Sequence, residues 1–112
     1  MASIDWNHFS EVQMRVGTII KAEDFPEAKI PAYKLLIDFG IDLGIKKSSA
    51  QITKRYSKES LIGMQIIAVV NFPTKQIATL MSECLVLGAV DNDGDVILLQ
   101  PESKAKNGLR IS

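Results

Sequence analysis

Apolar side chains occupy every second position in several short stretches of this chain, and this alternation is typical of β-strands that bury one face. Residues 33–39 show it most clearly, and residues 12–16 repeat it before Gly17 shifts the side-chain phase. Such a shift predicts a bulge or a sharp bend within the first strand. The alternation also predicts which residues point into the core: Met14, Val16, Tyr33, Leu35, Ile37, Phe39, Ile67, Val69, Leu85 and Leu87.

The remaining strands are predicted from apolar runs bounded by turn residues. They cover residues 45–50, 64–70, 81–90 and 96–99. Residues 91–95 (DNDGD) form a strong hairpin turn signal between the last two. A helical turn is predicted between Ser57 as its cap and Gly63 as its stop, and a short N-terminal helix at residues 4–9, with Ser3 or Asp5 as its cap.

Short strands with one small helix between the third and the fourth follow the element order of an OB-fold. We therefore predict an all-β, five-stranded OB-fold barrel with a short helix between strands 3 and 4, a short N-terminal helix and an extra C-terminal hairpin. Proteins with this fold bind oligonucleotides and similar polymers across one face of the barrel. An SH3-like barrel is the main alternative, and the position of the helix argues against it.

Length and cysteine content limit the classes of protein to which the chain can belong. With 112 residues, the chain is expected to be a single domain, residues 1–112 with a core at 8–112. Its apolar runs fall short of the ~20 residues that span a membrane, and the first residues lack the basic and apolar segments of a signal peptide. Cys84 is the only cysteine, so we expect no disulfide and a reducing, cytoplasmic location.

Charge is unevenly distributed although the net charge is zero. Residues 46–75 carry six bases against one acid, whereas the flanking segments are acidic. A basic stretch can attract phosphates within ~8–10 Å even in a neutral chain. A solvated lysine-rich surface is the alternative interpretation.

Hydroxyl, amide and carboxylate groups recur beside the predicted strands. Such groups can bond to base edges, sugars or peptide amides, and the nearby bases can contact phosphates. The predicted RNA- or peptide-binding residues are Arg15, Lys46, Lys47, Ser48, Ser49, Gln51, Lys54, Arg55, Asn71, Lys75, Ser82 and Glu83. Structural roles stay open for four of these positions. Glu83 could bind Arg15 or a backbone amide, Arg15 could have a structural role, and Ser48 and Ser49 could belong to a solvated strand face.

Aromatic residues for stacking bases are few. Single-strand binding sites usually stack bases on aromatic rings, and only Tyr56 and Phe72 are expected to be exposed near the basic stretch. Binding is therefore expected to depend on shape and hydrogen bonds.

Catalytic and metal-binding patterns are weak. His8 is the only histidine. Residues 91–102 match a calcium loop only in part, because the glycine stands at the fourth position instead of the sixth. We expect a binding protein, not an enzyme, with no metal and no cofactor.

Several motifs together resemble a known family. Residues 14–19 (MRVGTI), 33–40 (YKLLIDFG) and 56–63 (YSKESLIG) resemble the tRNA-binding domain family, an OB-fold module found alone or attached to methionyl- and phenylalanyl-tRNA synthetases. Residues 48–52 (SSAQI) and 82–88 (SECLVLG) resemble its CsaA subgroup more narrowly. Residues 25–33 depart from the family's His-Pro-x-Ala-Asp-Lys-Leu pattern, which favours that subgroup.

The resemblance implies a function and partners. It implies tRNA or other structured RNA as the ligand, with unfolded or exported polypeptides bound by a secretion chaperone as the alternative. It also implies a homodimer formed through the terminal segments, where residues 4–9 and 109–111 carry apolar side chains.

Overall fold

Two short helices and nine strands make up the chain in a computed structural model that describes residues 1–112. The helices are α1 (Trp6–Glu11) and α2 (Lys58–Leu61). The strands are β1 (Met14–Asp24), β2 (Tyr33–Asp38), β3 (Ile45–Ala50), β4 (Gln65–Val69), β5 (Lys75–Ile77), β6 (Leu80–Ser82), β7 (Leu85–Val86), β8 (Gly88–Val90) and β9 (Val96–Leu98).

Five strands form a nearly closed antiparallel barrel in the order β3-β2-β1-β4-β7. The hairpins β5–β6 and β8–β9 are attached to it, and α2 lies between β3 and β4. This confirms the predicted OB-fold. Neither helix is long and apolar enough to cross a membrane.

Strand β1 pairs with two neighbouring strands along different parts of its length. It pairs with β4 through Met14–Thr18 and with β2 from Thr18 onward, and its register shifts between Ile19 and Lys21. The predicted irregularity is therefore a bulge, centred on Ile20. Gly17 has a separate role, because a Cβ there would lie 2.7 Å from the side chains of Ile37 and Phe39.

The C-terminal tail covers the edge of β1 that β2 does not reach. Gly108 donates a backbone hydrogen bond to the Val16 carbonyl (2.7 Å), and Val16 donates to the Leu109 carbonyl (3.0 Å). Ile111 adds a bond to the Met14 carbonyl (2.9 Å). An uncovered edge would expose unpaired backbone groups.

Both helices have the predicted kind of cap. Asp5 and His8 form a capping box at α1, which begins two residues later than predicted. Ser57 Oγ accepts from the Ser60 N–H at α2 (3.1 Å), and Gly63 follows with a φ of 86°. Caps of this kind satisfy donors that a short helix leaves free.

The core confirms most of the predicted inward positions. Val16, Tyr33, Leu35, Ile37, Phe39, Ile67 and Val69 are buried, and Met14 and Leu87 are half-buried. The prediction for Leu85 is wrong, since it is 47% exposed while Cys84 is buried. The reason is that residues 81–90 form three separate short strands, so the alternation does not continue through the segment.

Replacing Ile37 by Ala is expected to lower the free energy of unfolding by ~2–5 kcal/mol, because a fully buried side chain leaves a cavity. Leu85→Ala is the matched comparison and should cost less than ~1 kcal/mol, as a largely exposed site does. Urea denaturation of both variants measures the difference. Equal losses would contradict the assignment of the two side chains to opposite sides of the barrel wall.

Candidate functional site

Glu83 and Lys47 join β3 to the segment between β6 and β7. Glu83 N–H donates to the Lys47 carbonyl (2.8 Å), and the Glu83 carboxylate accepts from the Lys47 N–H (2.9 Å). A side chain here completes a ladder that backbone groups alone would leave half-paired. Of the structural roles left open for Glu83, the structure shows the contact with a backbone amide and none with Arg15.

Ser48 reinforces the same closure. Its hydroxyl donates to the Cys84 carbonyl (2.9 Å), and its exposed fraction is 0%. The prediction that Ser48 offers its hydroxyl on an open strand face is therefore wrong. Strand β3 turns its even-numbered residues inward, because Ser48 pairs with the buried Leu35.

A groove of about 440 Å³ runs beside this closure. Four predicted residues line it: Ser49, Gln51, Lys75 and Ser82. Its apolar wall comes from β7 and the β8–β9 hairpin. Ser82 is bonded to the Cys84 carbonyl (3.2 Å), whereas the side chains of Ser49 and Gln51 have no hydrogen-bond partner within the chain. These two side chains can therefore bond to a ligand.

A smaller compartment of about 270 Å³ adjoins the groove between residues 27–32 and the β5–β6 turn. Ser49, Gln51 and Ile77 line both spaces. Ala78, at the turn, has a φ of 50°, a conformation that non-glycine residues rarely adopt.

Acidic residues of the β8–β9 turn neutralise part of the predicted basic stretch. Lys54 Nζ lies 2.8 Å from Asp93 Oδ2, and Arg55 Nη2 lies 2.6 Å from Asp95 Oδ2. The hydrogen bond to Asp93 raises the pKa of Lys54, and the same bond lowers the pKa of Asp93. The hydrogen bond to Asp95 likewise raises the pKa of Arg55. The charges of these two bases are therefore matched within the chain.

Three predicted lysines remain without an ion pair. They are Lys46, Lys47 and Lys75. Lys75 lines the groove, and Lys47 projects from β3 on the same side as Ser49, because side chains two residues apart share a face. The basic surface is thus smaller than the sequence suggests. Lys47 and Lys75 lie beside or in the groove, whereas Lys46 lies on the opposite face of β3.

Arg15 and Asn71 lie outside the groove and bind other parts of the chain. Arg15 Nη1 donates to the Gly108 carbonyl (3.1 Å) of the C-terminal tail. Asn71 accepts from the Gln13 N–H (2.9 Å) and donates to the Glu11 carbonyl (2.8 Å), which ties the end of β4 to the α1–β1 link. Sequence spacing carried no signal that separates these contacts from ligand binding.

The groove has no aromatic residue in its lining. Tyr56, expected to be exposed, is half-buried, and its hydroxyl accepts from the Leu98 N–H (3.0 Å). Phe72 is exposed as expected. The groove residues that sequence patterns missed are Leu85 and the apolar residues of the β8–β9 hairpin, for which the sequence carried no signal.

The thiol of Cys84 has low reactivity. Burial raises the pKa of its thiol to about 11, although the hydrogen bond with Ser48 opposes this effect. The thiol therefore stays protonated at neutral pH, and a protonated thiol is a poor nucleophile.

The barrel and its groove define an OB-fold ligand-binding protein. The family model of the tRNA binding domain matches residues 14–110, and the chain belongs to this tRNA-binding domain family. Among curated relatives, the methionine–tRNA ligase of Methanocaldococcus jannaschii is 30% identical over 111 residues. The alignment covers 99% of this chain and 17% of that ligase, so the chain spans about a sixth of such relatives.

Solved structures of similar size match along the whole chain. The CsaA chaperone of Bacillus anthracis is 55% identical with a TM-score of 0.94, covering 99% of this chain and 100% of that one. The CsaA chaperone of Picrophilus torridus is 54% identical with a TM-score of 0.92, covering 98% and 100%. A MetRS related protein of Pyrococcus horikoshii is 29% identical with a TM-score of 0.88, covering 100% of both chains.

Replacing Glu83 by Ala is expected to lower the free energy of unfolding by ~1–2 kcal/mol, because the Lys47 N–H loses a charged acceptor. Glu83→Gln keeps an acceptor oxygen of the same reach and should lose less. Thermal or urea denaturation of the two variants gives the comparison. If Glu83→Ala is as stable as the parent, the carboxylate does not hold the barrel closed.

Proposed function

We propose that this protein binds tRNA or other structured RNA along the groove, without catalysis. The observation that carries the proposal is that the unpaired Lys75 and the free side chains of Ser49 and Gln51 line one groove of a tRNA-binding domain, with Lys47 beside them on β3. We further propose a cytoplasmic location, which agrees with binding to tRNA and with a single cysteine that has no partner in the chain.

Each group in or beside the groove would have a distinct role. Lys47 and Lys75 would contact phosphates, which position an RNA without reading its sequence. Ser49 and Gln51 would bond to sugar hydroxyls or base edges, since each side chain can both donate and accept. Lys54 and Arg55 would contribute less than the sequence suggests, because Asp93 and Asp95 bind them.

Binding of unfolded or exported polypeptides, as by a chaperone, is the second candidate function. The apolar wall of the groove favours it, because Leu85 is 47% and Val90 72% exposed. An extended peptide could place apolar side chains on this wall and bond its backbone to Ser49 and Gln51. The likeness to two CsaA chaperones supports the same function.

We also propose that two copies of the chain form a homodimer through their terminal segments. Helix α1 buries none of its residues in the single chain, and Trp6 is 88% exposed. Ile4 and Leu109 are exposed as well. Large apolar side chains grouped on a surface usually mark a contact with another protein, and a second copy would cover them symmetrically.

Neutralising Lys47 or Lys75 with Gln is expected to weaken tRNA binding and to reduce the slope of log K against log salt by about one per lysine, because each phosphate contact releases counterions. Lys104→Gln is the control, since Lys104 is exposed but neither lines the groove nor lies on β3 beside it. The measurement is a tRNA titration across a salt series, repeated with an unfolded polypeptide. If the two lysine variants bind tRNA normally while Leu85→Ser loses the polypeptide, the chaperone function replaces the RNA function.

Replacing Trp6 by Ser is expected to convert a dimer into a monomer without unfolding the barrel, because α1 contributes nothing to the core of the single chain. Val90→Ser serves as the control, since Val90 is similarly exposed but lies on the β8–β9 hairpin. Light scattering at micromolar concentration measures the mass. A parent protein that is already monomeric under these conditions would rule out the dimer.

A further inference from the structure

The compartment beside the groove has the size and the lining of a site for one planar group. We infer that it holds a single unpaired nucleobase of the bound RNA, an inference that rests on the proposed RNA binding. Its volume of about 270 Å³ lies below the ~300–1,000 Å³ of pockets that take drug-sized ligands. A polymer therefore cannot enter, whereas one base can turn into it while the rest of the strand stays in the groove.

The walls of the compartment suit the two faces of a base. Ile30 on the 27–32 loop and Ile77 on β5 present aliphatic surface, and Ala32 adds a buried methyl group. No aromatic ring is present, so the faces of the base would make dispersion contacts with aliphatic carbons in place of stacking. Moving a base that is already unpaired into such a pocket costs less than opening a base pair.

Ser49 and Gln51 suit the edge of a base. Base edges carry donors and acceptors side by side, and a hydroxyl next to a carboxamide can satisfy either kind of group. Both side chains are free of partners within the chain, as described above for the groove. An apolar peptide side chain in the same space could not bond to either group, whereas a base edge can bond to both.

The charges at the rim fit a neutral base attached to a charged backbone. Lys29 lines the compartment and Lys75 lines the adjoining groove, and neither forms an ion pair. Phosphates on either side of the base could therefore contact a lysine. Glu27 lines the compartment together with Lys29, so their opposite charges offset each other there and favour an uncharged group such as a base.

The test compares two RNA hairpins that differ by one unpaired nucleotide in the stem. The parent protein should bind the bulged hairpin about tenfold more tightly than the fully paired one, as a well-bonded base permits. With 2-aminopurine at the bulge, fluorescence should rise on binding, because the base leaves its stacked neighbours for an aliphatic pocket. Ser49→Ala and Gln51→Ala should each bring the affinity ratio close to one.

Thr74→Ala is the matched control, since it removes an exposed hydroxyl that lines neither the groove nor the compartment. It should keep the tenfold ratio. Equal binding of both hairpins with no aminopurine signal would overturn the inference and leave the proposed RNA binding intact. Failure of both hairpins and of tRNA to bind would remove both proposals. Binding of an unfolded polypeptide alone would then assign the groove to a peptide.

Discussion

The contact between β3 and the segment that precedes β7 is the constraint on which the rest of the molecule depends. Five strands leave the barrel nearly closed, and the reciprocal bonds of Lys47 and Glu83 bridge the remaining gap. The buried hydroxyl of Ser48 adds a third bond there. Because this closure brings β3 beside Ser82, it also places the floor of the groove next to its apolar wall. The same set of bonds therefore closes the barrel and shapes the groove.

Electrostatics then decides which part of the surface stays available to an anionic ligand. The β8–β9 turn is acidic, and it neutralises Lys54 and Arg55 on the loop before α2. The same ion pairs hold the hairpin where it forms part of the groove wall. Positive charge is left on β3 and β5, around side chains with free hydrogen-bonding groups. A chain with zero net charge can therefore present a small basic groove.

The alternation of apolar residues and the helix-capping residues predicted the fold well, because both depend on interactions between residues close in sequence. Alternation assigned Leu35 and Ile37 to the core, and Ser57 and Gly63 bounded α2, since these signals depend on neighbours within a few residues. The same logic failed at Leu85. Three short strands replace one there, and each interruption resets which side chains face inward. The alternation of apolar and polar residues does not show where one short strand ends and the next begins.

The sequence by itself determined the strand content, the position of α2, the family and four groove residues, Ser49, Gln51, Lys75 and Ser82. Tertiary structure alone decided which polar side chains have no hydrogen-bond partner within the chain. Ser48, Asn71, Arg15 and Glu83 carry the same functional groups as a binding site, yet partners 36 to 93 positions away occupy them. Hydrogen-bonding capacity is a property of the side chain, whereas its availability depends on contacts that only the folded chain creates.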